Sequence, residues 1–174
     1  MSKTEYQFSD FLGFLGEVAD PCMGFVLEIH EKLIQMGCKV KISSTKAYPY
    51  QIAYTMPNSR KGILNFYLRK KGLKVRITIV DPKKHADFLN GLPESMVKQI
   101  AKKNVCRKLV EGSECLDHCT GFDFHIGDTQ YQKCRFYCFQ FDVDAESMAF
   151  LLALLERELE ERHTVQMKGS VGLC

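Results

Sequence analysis

The chain has 174 residues, 45% of them hydrophobic and 26% charged, and a formal net charge of +3. That length suits one compact domain able to bury a core without cross-links, and the composition excludes a disordered, collagenous or low-complexity chain. No apolar run approaches the roughly eighteen residues of a membrane span. The opening stretch MSKTEYQFSDFLGFLGEVAD carries Glu5, Asp10 and Glu17 within its apolar pattern, which predicts neither a secretory signal nor a membrane anchor. The expectation is a cytoplasmic protein with reduced thiols, whose eight cysteines need an explanation other than disulfide bonds.

In chain order, Phe8, Phe11, Leu12, Leu15 and Val18 recur at three-four spacing and predict an amphipathic helix over 6–19. A second helix should start at Asp20 as N-cap with Pro21 at its first position and end at Gly37; Phe25, Val26, Ile29, Leu33 and Met36 form its stripe. The period then changes to two. KVKISST (39–45), YQIAYTM (50–56), GILNFYL (62–68) and LKVRITIV (73–80) predict four strands, and their short connections favour an antiparallel meander. Asp81-Pro82 predicts a short helix ending near Gly91, and Pro93 another running to about Leu109.

Gly127-Asp128 predicts a two-residue hairpin turn that pairs Ile126 with Thr129 and His125 with Gln130. Asp144 is then the expected N-cap of a last helix reaching about Arg162, its MAFLLALL half buried on every face and its ERELEER half solvated. The elements together predict one α+β domain over 1–174: an antiparallel sheet, made of the meander plus a C-terminal hairpin, packed against helices. Within it lie a cysteine-bearing segment, 106–143, and a loose tail, 164–174.

If the hairpin strands continued straight, Cys119 would face Phe136, with Cys134 and Cys138 as its diagonal neighbours at roughly 7 Å. Cys115, four residues before Cys119, could fold onto the same site. The candidate metal set is therefore Cys115, Cys119, Cys134 and Cys138, with Cys106 and His118 as alternates, and zinc is the expected metal. Geometry constrains that set. Cys134 and Cys138 in a regular strand stand about 13 Å apart, whereas zinc–sulfur bonds near 2.3 Å require sulfurs within about 4 Å, so using both demands a break at Arg135 to Tyr137. Without a break the set becomes Cys115, Cys119, one of Cys134 or Cys138, and Cys106 or His118. The competing readings are that the thiols pack as small hydrophobes, as expected of Cys22 and Cys38, or that they serve thiol redox chemistry or sensing, although no Cys-x2-Cys stands at a helix start.

Charge is the second feature. From Arg60 to Lys84 nine basic residues face one acidic residue, Asp81, with Tyr48, Tyr50, Tyr54, Phe66 and Tyr67 interleaved. A basic sheet face bearing aromatics is what binders of single-stranded nucleic acid present, and Lys70, Lys71, Lys74, Arg76 and Tyr67 are the candidate contacts. The plainer reading is a solvated strand face, because Lys74 and Arg76 alternate with Leu73, Val75 and Ile77. No Walker loop, dinucleotide glycine pattern, nucleophile elbow or His-Glu-x-x-His is present, so the balance leans away from an enzyme. His30 reads as a helix-boundary residue, and His85 and His163 as surface residues. A small molecule held between sheet and helices is a further possible partner.

The meander from KVKISST to LKVRI, followed by Cys106-x8-Cys115-x3-Cys119 and KCRFYCFQFDVD, resembles small bacterial proteins of unknown function. The resemblance implies a bacterial, cytosolic protein and brings with it no activity. The expected function is a non-enzymatic binding domain with a cysteine-liganded structural zinc site.

Overall fold

A computed structural model describes residues 8–57, 61–116 and 119–170, with the side chains of 165–170 left out. The fold is α+β. Its described residues cluster into two compact units, one within 8–78 with 139–148 and the other within 79–138 with 149–170.

The first unit opens with α1 (Phe8–Gly16) and α2 (Asp20–Gln35). α2 starts one residue earlier than the sequence predicts: Ala19 holds the cap position, Asp20 the first helical position and Pro21 the second. Four strands follow, β1 (Lys39–Ser43), β2 (Tyr50–Thr55), β3 (Gly62–Arg69) and β4 (Gly72–Ile77), and β7 (Gln140–Asp142) adds itself beside β4, giving the order β1-β2-β3-β4-β7 with antiparallel pairing throughout. Register puts Ile42, Ile52, Phe66, Val75 and Phe141 in one row across the sheet. That face meets the helices: Phe14 and Phe25 each lie 6.2 Å, ring centre to ring centre, from Phe66. Period-two alternation thus explains which residues enter the core, and aromatic packing supplies much of its buried area.

His30 departs from its expected boundary position. It is buried, stacked at 3.7 Å on Phe11, and its Nδ1 lies 2.8 Å from the Tyr54 hydroxyl. Burial lowers its pKa below the usual histidine value, with Glu31 opposing weakly.

Between 79 and 138 the second unit is built from short pieces. A 3-10 turn (Pro82–His85) leads into α3 (Ala86–Leu89), and Asp81 caps the turn by accepting a hydrogen bond from the Lys83 N–H at 3.0 Å. The helix expected from Pro93 to Leu109 breaks in two, α4 (Glu94–Ala101) and α5 (Arg107–Val110). The break has a tertiary cause: Lys133 Nζ donates to the carbonyls of Ala101 at 2.6 Å and Lys103 at 2.9 Å, and Val105 pairs with Lys133 as an isolated antiparallel bridge. β5 (Phe122–Ile126) and β6 (Thr129–Lys133) form the predicted hairpin, with Ile126 opposite Thr129, His125 opposite Gln130, and Gly127 at φ +56° in the turn.

The hairpin stops at Phe122 and Lys133, short of the expected cysteine pairings. Beyond Lys133 the chain folds into a single helical turn, in which the Tyr137 and Cys138 N–H groups donate to the Cys134 carbonyl at 3.2 and 3.1 Å. Residues 140–142 therefore leave the hairpin for the larger sheet.

The last helix, α6 (Ser147–Ser170), runs past its predicted end. Asp144 Oδ1 accepts from the Ser147 N–H at 2.8 Å while Ser147 Oγ accepts from the Asp144 N–H at 3.0 Å, a reciprocal cap. Two expectations for this helix are corrected. Its first half is not buried all round, since Ala149 is exposed. Its charged half is not wholly solvated: Glu158, Leu159 and Arg162 are buried, continuing the stripe of Leu151, Leu154 and Leu155 at three-four spacing. Glu158 can be buried because its carboxylate accepts from Arg162 Nε at 2.8 Å and the Val80 N–H at 3.2 Å and lies 3.0 Å from His85 Nε2. His85, expected on the surface, is accordingly buried too. The tail from 164 onward is helical as far as Ser170, and 171–174 lie outside the described residues.

Candidate functional site

The seven described cysteines are all free thiols, and they fall into two groups. Cys22, Cys38 and Cys138 are packing residues. Cys22 Sγ lies 3.7 Å from the Val143 carbonyl, and burial raises its pKa with a further push from Asp144. Cys138 is fully buried, and desolvation pushes its thiol up to about 12 in spite of Lys133 and Lys103. Such a thiol stays protonated near neutral pH and is a poor nucleophile.

The other four, Cys106, Cys115, Cys119 and Cys134, line one groove of about 560 Å3 in the second unit. Three chain segments bring them there. The Cys106 N–H donates to the Gln132 carbonyl at 2.9 Å and the Cys134 N–H to the Asn104 carbonyl at 3.0 Å, so 104–106 lies against 132–134 and the two cysteines flank the Val105–Lys133 bridge. The third segment arrives by close approach at Gly121. This residue has φ +67°, and a Cβ built on it would stand 2.5 Å from Cys106 Sγ and 2.8 Å from Leu109 Cδ1. Only glycine allows the backbone so near the thiol. Cys119, two residues earlier, is thereby carried to the groove, where its N–H donates to the Leu116 carbonyl at 2.8 Å. Cys115 is exposed, Cys134 half-buried, and Cys106 and Cys119 buried apart from the face they show the groove. Arg107, Lys108, Glu111 and Glu114 surround them.

The structure thus collects three members of the sequence-derived metal set with the alternate Cys106, and turns Cys138 into the interior. A break does occur after Cys134, yet its helical turn sends Cys138 away from the groove's lining. His118 lies outside the described residues. Among the described residues no three His, Cys, Asp or Glu side chains stand close enough to hold a metal ion in this arrangement.

No family model matches the chain, nor does any curated protein or solved structure. Its chemistry has to be read from its own geometry.

The nucleic-acid candidates lie in the first unit. Lys74 and Arg76 project from the sheet face opposite α1 and α2, and Lys70 and Lys71 form the β3–β4 turn. Tyr67 shares that face but is only 6% exposed, with Arg76 5.6 Å above its ring and Tyr48 5.0 Å away. Of the interleaved aromatics, Tyr54 and Phe66 belong to the core, and Tyr50 contacts Phe14 edge-on. Arg69 and Tyr48, part of the same basic and aromatic stretch but not among the candidate contacts, are joined directly. The Arg69 guanidinium sits 4.9 Å from the Tyr48 ring centre and donates to its hydroxyl at 2.8 Å.

Proposed function

We propose that this chain is a non-enzymatic binding module whose Cys106, Cys115, Cys119 and Cys134 take up one zinc ion as thiolates. A single observation carries the reading: four thiols from three chain segments line one solvent-open groove, while the other described cysteines are packed inside. Four sulfurs suit tetrahedral zinc, and all four ligand positions being filled by protein makes the site structural rather than catalytic. The thiols line the groove at separations wider than coordination needs. Cys106, Cys115, Cys119 and Cys134 would hold the ion once brought closer together, part of the binding free energy would then serve folding of the groove, and displacement of the thiol protons would make affinity rise with pH.

Native mass spectrometry of protein purified in reductant without chelator tests this, paired with a thiol count before and after denaturation. The expected result is one zinc per chain, lost in Cys106→Ser and Cys119→Ser and kept in Cys138→Ser. Metal-free protein with eight titratable thiols overturns the reading. So does a count below eight that reductant restores, which assigns the groove to disulfide redox chemistry.

A further inference from the structure

In the first unit we infer a second, separate binding surface: the open face of the five-stranded sheet grips the sugar–phosphate backbone of a nucleic acid without reading its bases. The register defines the face. Lys41, Ala53, Asn65, Arg76 and Gln140 form one row across the five strands, and Ser43, Gln51, Tyr67, Lys74 and Asp142 the next. Lys39 and Arg69 fall on the same side by alternation, and Lys70 and Lys71 close the β3–β4 turn. Seven cations therefore share the face and its edge, while the five strands and that turn contain a single acidic residue, Asp142.

Asp142 is held by Lys74, 2.5 Å away. Arg69, Lys70 and Lys71 stand around a groove of about 540 Å3 with Lys74 and Asp142. Two of the cations are held in place by contacts that leave their charge unneutralised: Arg69 by the ring and hydroxyl of Tyr48, and Arg76 by Asn65 Oδ1 at 2.8 Å and the ring of Tyr67. The cation–ring–ring–cation series Arg76, Tyr67, Tyr48, Arg69 spaces two guanidiniums across the face, and side chains fixed in this way lose less freedom on meeting phosphate than mobile lysines do.

The aromatic rings decide how such a ligand is read. Tyr67 is covered by Arg76 and Tyr48, the half-buried Tyr48 is engaged by Arg69 and Tyr67, and Tyr54 and Phe66 are in the core, so no fully open ring among the described aromatics of this region offers bases a stacking platform. What remains is charge, which recognises phosphodiesters and is indifferent to base. A lipid surface is a poorer fit, because among the described residues none of the exposed large hydrophobic side chains lies on this face.

Fluorescence anisotropy with labelled 20-nucleotide dT, mixed-sequence RNA and a 20-base-pair duplex, between 50 and 200 mM salt, tests the inference. About four or five phosphate contacts predict a log–log salt slope near −3 for single strands, roughly a 60-fold loss over that range. Single-stranded probes should agree within about threefold whatever their sequence, and their ratio to the duplex identifies the preferred backbone. Lys70→Glu with Lys71→Glu, both exposed and so free to change without unfolding the chain, should weaken binding at least about tenfold and flatten the slope. No binding at 50 mM salt, unchanged affinity in that variant, or a preference above about tenfold for one base composition overturns the proposal. Displacement by polyglutamate as effectively as by unlabelled dT also overturns it, and points to an acidic protein instead.

Discussion

The two units bury their interiors by different means. The first lays an alternating apolar sheet face against two amphipathic helices, and a buried polar pair within that contact, His30 with Tyr54, is enclosed by aromatic rings. The second combines short helices and a two-stranded hairpin with most of the 24-residue α6, and beside the apolar stripe of that helix it encloses charged groups: Glu158 beneath Arg162, His85 and the Val80 N–H, with Lys133 across the end of α4. Where enough apolar surface exists, transfer from water stabilises the fold without directional partners. Where charged side chains are enclosed as well, their pairing fixes the arrangement, at the cost of strict dependence on every partner.

That contrast predicts unequal sensitivity to polar substitution. Glu158→Ala strips one acceptor from three donors at once and should destabilise by about 3–5 kcal/mol in urea denaturation, as much as removing a core aromatic does. Replacing Glu158 and Arg162 together by leucine should cost clearly less than the sum of the single changes; additive costs would break the comparison. Lys133→Met keeps the aliphatic stem but loses the two carbonyl contacts, and about 1.5–3 kcal/mol should go with them. Gly121→Ala meets a left-handed backbone and the Cys106 sulfur together, so a loss of at least about 1–2 kcal/mol is expected, with greater solvent access for the Cys106 thiol in alkylation assays.

The smallest effect belongs to the first unit and depends on pH. Burial lowers the pKa of His30, so the unfolded chain takes up the proton first. Its contribution is complete above the ordinary histidine pKa of about 6.5 and is lost as pH falls from there toward the lower folded value. His30→Phe keeps a ring beside Phe11 and should flatten that part of the stability curve; an unchanged curve would assign the pH dependence to other groups.

Legibility in the sequence followed the same division. The meander, the stripe of α2, the Gly127-Asp128 hairpin register and the Asp144 cap could all be read directly, because each rests on local periodicity or on a turn residue whose backbone preference is intrinsic. The charged half of α6 misled because a run such as ERELEER reads as solvated unless the partners of its buried members are known, and His85 and Val80 lie more than seventy residues away. The cysteines divided likewise. Cys22 and Cys38 were recognisable as packing residues from their neighbours, whereas the exchange of Cys138 for Cys106 at the groove depended on a bridge between Val105 and Lys133 that has no local signal.

The sequence by itself therefore determined the α+β class, most of the elements, and the residue types from which a thiol site and a basic face could be made. Only the tertiary structure decided which thiols share a groove, which aromatics are spent in the core, and which charges are buried. The reason is physical: backbone preference and side-chain alternation act between near neighbours, while desolvation, close backbone approach and pairing of buried charges depend on residues that only the folded chain brings together.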